Sequence, residues 1–229
     1  MGNGAVVLLS GGMDSCVLLH YVLHTVAPAY LYGVSFYYGQ QHNREVAMAR
    51  RQMEAVHNGE HLVVDLSFYA GMLNGASSLL SEAGEVPPLA AIDQSERDQP
   101  VTYVPNRNMV FLSVAAGLAE SRGCSAVYYG AQCQDEYSYW DCTEEFVNRL
   151  NAVFELNRRI PARIKAPFVN MRKSELVREG VRLGVDFSNT WSCYRGGVEA
   201  CGVCPTCKER EKAFMDAGIE DPLRNKKNA

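Results

Sequence analysis

A turn near the N-terminus has the residue types needed to bind phosphate. It lies at residues 10–15, has the sequence Ser-Gly-Gly-Met-Asp-Ser, and stands between an apolar, partly β-branched run and a helical run. A strand, a tight turn and a helix N-terminus bind anions because backbone N–H groups and the positive end of the helix dipole point at the ligand. Two serines add hydroxyl donors, and Asp14 suits a divalent cation that bridges phosphates. The turn predicts a nucleotide phosphate site; the alternative is a glycine turn that only joins two elements.

Four of the eight cysteines lie close together near the C-terminus. Cys193, Cys201, Cys204 and Cys207 have the spacing C-x7-C-x2-C-x2-C, whose two-residue gaps let neighbouring thiolates bind one tetrahedral ion. Four sulfur ligands leave no open coordination position, so the spacing predicts a structural Zn²⁺, with a redox dithiol or an iron–sulfur cluster as alternatives. The remaining cysteines are expected to be small buried apolar residues. They are Cys16, Cys124, Cys133 and Cys142.

The composition of the 229-residue chain is that of an ordinary globular protein, with 47% hydrophobic residues and a net charge of −4. The negative balance does not favour an extended nucleic-acid surface, so a nucleic-acid partner is not expected. No apolar run has the length of a membrane span, and the N-terminus lacks the pattern of a signal peptide. We therefore expect a cytoplasmic protein without membrane contact.

Strand and helix patterns alternate along the chain and define the elements that must position these residues. Strands are predicted at residues 5–9, 29–36, 61–66, 126–129 and 164–167, and helices at 15–25, 43–56, 109–119, 143–157 and 174–183. The alternation predicts a doubly wound α/β fold with a mainly parallel sheet, whose ligands bind at the carboxyl edge of the strands. We predict an α/β domain at 1–190 and a small zinc-binding region at 191–229 packed on it. Residues 67–100 lack periodicity and predict a long, mobile loop that covers the site.

Two further features lie where the carboxyl edge of the sheet is expected. Arg107 stands at a predicted helix start, where the helix dipole disfavours a cation unless a phosphate or carboxylate binds there; an ion pair with a nearby acid is the alternative. The polar and aromatic loop at residues 130–142 follows a predicted strand and suits a flat heterocycle. Both features favour a site for a nucleotide and a planar substrate.

With these pieces placed, the chain resembles two nested groups of proteins. The turn at 10–15 is similar to the Ser-Gly-Gly-x-Asp-Ser loop of the ATP pyrophosphatase superfamily, and the chain over nearly its whole length resembles the 7-cyano-7-deazaguanine synthase family of the queuosine pathway. Besides the turn and the four clustered cysteines, the resemblance rests on Tyr38-Gly39-Gln40, Val104-Pro105-Asn106-Arg107-Asn108, Asp141-Cys142, Glu145-Phe146, Lys173 and Glu175.

The resemblance implies a homodimer with structural Zn²⁺ that uses Mg²⁺ and ATP. The family adenylates the carboxylate of 7-carboxy-7-deazaguanine, lets ammonia form the amide, then adenylates the amide oxygen and expels AMP to leave the nitrile. In this chain it implies catalytic roles for Asp14, Arg107 and Lys173. The resemblance assigns the binding of phosphate and metal to Leu9, Ser10, Gly11, Gly12, Met13, Asp14, Ser15, Arg107 and Lys173. It assigns the binding of the deazapurine to Tyr38, Gln40, Asp135, Tyr139, Trp140, Asp141 and Thr143.

The chain departs from the family pattern within residues 135–143. Where the family has Asp-x-Ser-Gly-Tyr-Pro-Asp-Cys-Arg, this chain has Ser138 for the glycine, Trp140 for the proline and Thr143 for the arginine. The loss of a cation and the gain of an indole suggest a rival hypothesis, a paralog that joins the activated deazapurine to another amine such as a protein N-terminus. A sulfur-inserting tRNA enzyme of the same superfamily is a third hypothesis, and the acidic balance counts against it. A non-catalytic zinc module is a fourth, and the intact turn counts against it.

Overall fold

A computed structural model of the chain describes residues 3–80, 86–92, 100–132, 139–158 and 162–223. Within them, strands and helices alternate as the sequence predicts. The strands are β1 (Gly4–Leu8), β2 (Tyr30–Tyr37), β3 (Gly59–Asp65), β4 (Ala126–Tyr128) and β5 (Arg163–Lys165). The helices are α1 (Met13–Tyr21), α2 (Arg44–Met53), α3 (Phe68–Leu73), α4 (Arg107–Ser121), α5 (Glu144–Phe154), α6 (Lys173–Arg182) and α7 (Pro205–Ala217).

The five strands form one sheet in the order β3-β2-β1-β4-β5, and every pairing is parallel. The chain winds from β1 outward to β3 and then returns through α4 to place β4 on the other side of β1. The order therefore reverses at β1, and ligands of open α/β sheets bind in the crevice at such a reversal. The predicted doubly wound parallel fold is confirmed, and the turn at 10–15 follows the strand at which the order reverses.

Strand β1 is apolar on both sides because both faces of the sheet are covered. Val6 and Leu8 pack into a core with α4 and α5, whereas Ala5 and Val7 pack into a second core with α1, α6 and α7. This burial explains why β1 is a continuous apolar run rather than an alternating one. It also fixes the direction in which the chain leaves the sheet at residue 9, and thus the place of the turn.

The turn after β1 is held by close contact between backbones. Gly11 has a φ of +91°, a conformation that side chains rarely adopt. A Cβ atom there would overlap the carbonyl oxygen of Glu45 in α2 and lie 2.8 Å from the backbone nitrogen of Ala49. On the other side, the Trp191 amide donates to the Gly11 carbonyl at 2.9 Å. Gly11 is therefore required because two segments distant in sequence meet at its backbone.

The structure differs from the sequence-based expectation in two helices. In the stretch 67–100, α3 is present, and Tyr69, Leu80 and Val86 are buried, so this stretch has a helix and contacts with the core where the sequence predicted only a long loop. Residues 81–85 and 93–99 lie outside the described ranges. Helix α7 was also absent from the expected elements. No helix among the described residues is long and apolar enough to cross a membrane.

Replacing Gly11 tests the backbone contact directly. We expect Gly11→Ala to lower the free energy of unfolding by about 2–4 kcal/mol, because the new methyl group meets α2 and the positive φ is strained. Chemical denaturation measures the change. Gly117→Ala is the matched control: its site in α4 has open space around it, so we expect it to be neutral or to stabilise by about 0.5–1 kcal/mol. Equal effects of the two substitutions would contradict the account.

Candidate active site

The serines of the turn organise its backbone. Ser10 Oγ and Ser15 Oγ lie 3.0 Å apart, the Gly12 amide donates to Ser10 Oγ at 3.2 Å, and the Gly11 amide donates to Ser15 Oγ at 3.1 Å. Ser15 in turn donates to the Gly12 carbonyl at 3.0 Å. These bonds curl the chain around the two hydroxyls, so that the turn enters α1 with a fixed orientation.

The first turn of α1 is suited to an anion. Its N-cap residue is Gly12, which has no side chain to accept a hydrogen bond from the amides of the first turn, and the ladder of the helix begins with the Cys16 amide donating to the Gly12 carbonyl at 3.1 Å. The earlier amides of a helix have no intrahelical acceptor, and the helix dipole adds positive potential at this end. No N-cap side chain occupies the first amides of α1, so these amides can donate hydrogen bonds to an oxyanion at the turn.

Lys173 joins the turn to the C-terminal helix. Its Nζ lies 3.8 Å from Asp14 Oδ2 and 2.7 Å from Glu209 Oε2, and all three side chains line one cavity. Two carboxylates and an ammonium next to the turn at residues 10–15 provide both the oxygen donors that Mg²⁺ prefers and a cation that suits phosphate oxygens. Asp14 and Lys173 were predicted here from the sequence, whereas Glu209 was not.

Arg107 lies at the first position of α4, as the sequence predicts, and it faces the same cavity. Its Nη1 donates to the Tyr38 hydroxyl at 3.2 Å, and its guanidinium lies 5.6 Å from the centre of the Tyr38 ring. Burial alone would lower the pKa of Arg107, but the neighbouring Tyr38, Tyr194 and Asp141 outweigh it and raise the pKa, so the group stays cationic. No carboxylate pairs with it within 4 Å among the described residues, which leaves the cation available to a ligand.

These residues line a cavity of about 290 Å³ at the carboxyl edge of the sheet. Phe111 of α4 forms an aromatic wall there, stacked on Phe36 with ring centres 4.1 Å apart and edge-on to Tyr38 at 5.4 Å. The polar turn and the aromatic wall together suit a nucleotide phosphate beside a flat heterocycle. The sequence-predicted residues that line the cavity are Leu9, Ser10, Gly12, Met13, Asp14, Ser15, Tyr38, Gln40, Arg107, Tyr139 and Lys173.

Of the loop residues predicted to bind the deazapurine, Tyr139 is the one that the described structure brings into the cavity lining. Its hydroxyl lies 2.8 Å from Thr102 Oγ1, and burial raises its pKa to about 12. Trp140 is 42% exposed and donates from Nε1 to the Tyr103 hydroxyl at 3.0 Å, outside the lining. The substrate-binding role of Trp140 remains a prediction.

Three other predicted substrate residues are not placed in the lining. Thr143 caps α5, where its Oγ1 accepts from the Phe146 amide at 3.1 Å. Asp141 is buried behind the wall next to Asn108, and burial raises its pKa despite the nearby Arg107. Asp135 lies outside the described residues, as does Cys133. The substrate-binding roles of Thr143, Asp141 and Asp135 stay predictions.

The four clustered cysteines converge as their spacing predicts. Their sulfur atoms all lie within 4.8 Å of one another, and Cys193, Cys204 and Cys207 are buried. Hydrogen bonds among the sulfurs lower the pKa of Cys204 and raise those of Cys193 and Cys207. Four converging sulfur donors, three of them buried and with no other donor type beside them among the described residues, fit Zn²⁺. Of the remaining cysteines, Cys16 and Cys124 are buried as expected.

The cysteine cluster is connected to the turn at residues 10–15 through α7. Cys204 is the N-cap of this helix, Pro205 is its first residue and Glu209 lies one turn farther on, against Lys173. Sequence reasoning missed α7 and hence Glu209, although Pro at the first helical position and Gly218 after the last are the signals that could have found the helix.

Glu45 and Tyr194 also line the cavity. No local pattern marks these two, because they reach the site only through the fold.

Three comparisons place this geometry among known proteins. A family model described as queuosine biosynthesis protein QueC matches residues 4–218. The 7-cyano-7-deazaguanine synthases of Caldicellulosiruptor saccharolyticus and Archaeoglobus fulgidus are 41% and 42% identical to this chain, over 96% of it and over 94% and 89% of their own lengths. The solved NMN synthetase from Francisella tularensis has a TM-score of 0.52 and 14% identity, and the match covers 96% of this chain and 79% of that one. The last similarity concerns the fold alone.

Removing one clustered cysteine tests the metal site. We expect Cys201→Ser to lose most bound zinc and about 3 kcal/mol or more of stability, since ligand loss uncouples metal binding from folding. In a domain of this size, that loss lowers Tm by roughly 10 °C. Elemental analysis and thermal unfolding measure the two effects. Cys124→Ser, a buried cysteine outside the cluster, is the control and should keep one zinc per chain. Full zinc content in Cys201→Ser would refute the assignment.

Proposed function

The chain belongs to the QueC family of queuosine biosynthesis proteins, and on this premise we propose that it is an ATP-dependent ligase that converts 7-carboxy-7-deazaguanine and ammonia into 7-cyano-7-deazaguanine. The carboxylate first attacks the α-phosphate of ATP, giving an acyl-adenylate and pyrophosphate. Ammonia then displaces AMP to form the amide. A second ATP activates the amide oxygen, and loss of AMP with the amide protons leaves the nitrile.

One observation carries this proposal: the turn with serine-organised amides opens into the same cavity as Arg107 and Lys173. A carboxylate oxygen is a poor leaving group until it bears AMP, so the reaction requires donors and cations around the pyrophosphate that departs. The first-turn amides of α1 and the serine hydroxyls would supply the donors, and the two side chains would supply the cations. Binding and orientation of ATP and substrate account for most of the chemistry in this scheme, and no covalent nucleophile is needed.

We propose that Asp14, with Glu209 beside it, binds the Mg²⁺ that accompanies ATP. Mg²⁺ is typically bound by one or two carboxylates together with substrate phosphates, and these two carboxylates flank Lys173 next to the turn. The metal would neutralise phosphate charge, while Lys173 contacts a phosphate oxygen. The aromatic wall at Phe111 and Tyr38, together with Tyr139, would hold the deazapurine.

The remaining parts of the proposal concern the domain organisation, the oligomeric state and the cellular location. Residues 191–229 would form a Zn²⁺-binding region on the 1–190 domain, supported by the amide of Trp191 bonding to the turn and by α7 packing on α6. By resemblance to the family we also propose a homodimer in the cytoplasm. Light scattering coupled to size exclusion would report the oligomeric state.

The paralog that transfers the activated deazapurine to a protein amine is not favoured. That hypothesis arose from Trp140 and Thr143, and in the structure Thr143 caps α5 while Trp140 packs on Tyr103 and Phe146 outside the cavity lining. These two departures from the family pattern therefore have local structural roles. The homologues that match nearly the whole chain are synthases of the nitrile.

Product analysis tests the proposed reaction. Incubation with ATP, Mg²⁺, 7-carboxy-7-deazaguanine and ammonium should yield 7-cyano-7-deazaguanine, AMP and pyrophosphate, identified by mass spectrometry. Without ammonium, the nitrile should not form. Absence of any small-molecule product, together with a deazapurine adduct on a protein, would overturn the proposal in favour of the protein-acceptor hypothesis.

A substitution of Lys173 tests the phosphate site. We expect Lys173→Met to lower kcat/KM for ATP by about 100-fold or more, because a cation that meets developing phosphate charge is lost. Lys173→Arg should restore part of the loss. Lys212→Met on α7 is the control, since Lys212 is exposed and pairs only with Asp216 among the described residues. An unchanged kcat/KM in a folded Lys173→Met protein would contradict the assignment.

A further inference from the structure

Glu45 is a carboxyl group of the cavity that the proposed reaction has not yet used. It lies in the first turn of α2, and its carbonyl oxygen is the atom that Gly11 approaches so closely. Its side chain lines the cavity that contains Asp14, Arg107 and Lys173. Because the backbone contact fixes α2 against the turn, the carboxyl group is held near the end of the cavity that we assign to phosphates.

The Glu45 carboxyl has no hydrogen-bond or ion-pair partner among the described residues. Within the described parts of the chain it makes no hydrogen bond and no ion pair, whereas the carboxylates of Asp14 and Glu209 both approach Lys173. Arg107 acts on Glu45 electrostatically, but its side-chain hydrogen bond goes to the Tyr38 hydroxyl. A partly buried carboxyl without a donor is costly, and a ligand with N–H groups would offset that cost.

Burial raises the pKa of Glu45 to about 7, and the positive charge of Arg107 opposes the shift only in part. The titratable groups coupled to it are Arg107 from α4, Tyr38 after β2, Tyr194 from the C-terminal region and Cys16 from α1. The other titratable residues of the cavity lining are Asp14, His42, Tyr129, Tyr139, Cys142, Lys173, Glu209 and Arg210. The pKa of Arg107 is raised, as are those of Tyr38, Tyr194 and Cys16. Near neutrality Arg107 therefore stays cationic and the other three stay neutral, while Glu45 changes its charge.

We propose that Glu45 binds ammonium beside the adenylated substrate and takes a proton from it. The inference rests on the proposed function, in which ammonia is the nucleophile. Ammonium predominates in neutral water and has no lone pair, so a base must generate ammonia where it reacts. The Glu45 carboxylate and NH₄⁺ become a carboxylic acid and NH₃.

The step that follows balances without any further reactant. The nitrogen lone pair forms the C–N bond to the acyl carbon, the C–O bond to AMP breaks, and AMP leaves with the electron pair. The surplus proton on nitrogen passes to water. Glu45 then loses its own proton to solvent and is ready for the next ammonium. Arg107 stabilises the negative charge of the departing AMP.

The position of Glu45 favours this role over recognition of the heterocycle. A carboxylate can also accept from the N–H groups of a guanine-like edge. However, the Glu45 backbone touches Gly11 of the turn and its carboxyl is coupled to Arg107 and Tyr38, so it stands between the phosphate end and the aromatic wall, where the acyl carbon of the adenylate lies in the proposed reaction. A recognition role would raise KM for the deazapurine, and a base role would lower the rate with ammonium, so kinetics can separate the two.

The test uses Glu45→Gln and separates the two half-reactions. Exchange of labelled pyrophosphate into ATP, dependent on 7-carboxy-7-deazaguanine, reports adenylation without ammonia and should stay within about threefold of wild type. Amide formation from ammonium should fall by about 100- to 1,000-fold, the range typical of a lost general base. Hydroxylamine is largely unprotonated at neutral pH and needs no such base, so hydroxamate formation should return close to the wild-type rate. Glu54→Gln, at the exposed end of α2, is the matched control and should change neither rate.

Several outcomes would overturn the role of Glu45. They are an unchanged rate with ammonium, an equal loss with hydroxylamine and ammonium, or a loss of pyrophosphate exchange in a folded Glu45→Gln protein. A raised KM for the deazapurine with kcat preserved would assign Glu45 to recognition instead. If the wild-type protein shows no substrate-dependent exchange, the proposed function itself fails, and the two failures are thereby distinguished.

The pH dependence of the wild-type protein gives an independent check that needs no variant. The carboxylate form of Glu45 is the base and ammonium is the species that binds, so at fixed total ammonium the rate of amide formation should be level above about pH 7 and fall below it. Pyrophosphate exchange should not follow that curve. Parallel pH profiles for the two reactions, or an amide rate that keeps rising above about pH 7 in proportion to free ammonia, would contradict the proposal.

Discussion

The contact of Gly11 with α2 on one side and with Trp191 on the other is the constraint on which the site depends. The serine hydroxyls curl the turn after β1, and the contacts at the Gly11 backbone fix the turn between α2 and Trp191. Because the sheet order reverses at β1, this rigid turn also stands where a ligand can enter. Amides that are already oriented bind phosphate without the cost of reorganisation, which is the physical basis of the proposed catalysis.

Side chains of α7 connect the C-terminal region to the same site. The cysteine cluster includes the N-cap of α7, α7 carries Glu209 to Lys173, and Arg210 in the next position is buried in an ion pair with Asp221. A metal ion at the cysteines would therefore fix the start of a helix whose first two turns reach the phosphate end of the cavity. Through this chain of contacts the metal would position a charged group as well as hold the C-terminal segment.

The features that could be predicted from the sequence are those encoded by neighbouring residues. Apolar runs and helical periodicity predict the parallel sheet, two-residue gaps predict the cysteine cluster, and glycines after a strand predict the turn. Glu45 was out of reach of such reasoning because only the packing of α2 on Gly11 brings it into the cavity. Thr143 is a case in which the sequence suggested more than the described structure shows. Its departure from the family pattern suggested an altered pocket, whereas in the structure its hydroxyl caps α5. Helix α7 was missed although Pro205 and Gly218 mark its ends.

The most direct measurement is a crystal structure with Mg²⁺ and the ATP analogue in which a methylene group replaces the oxygen between the α- and β-phosphates. Adenylation breaks that linkage, so the analogue should remain intact. The account predicts β- and γ-phosphate oxygens about 3 Å from backbone nitrogens of the turn at residues 10–15, with Lys173 in contact with a phosphate. Phosphates placed away from this turn, with Gly12 and the start of α1 making no contact to them, would contradict the account.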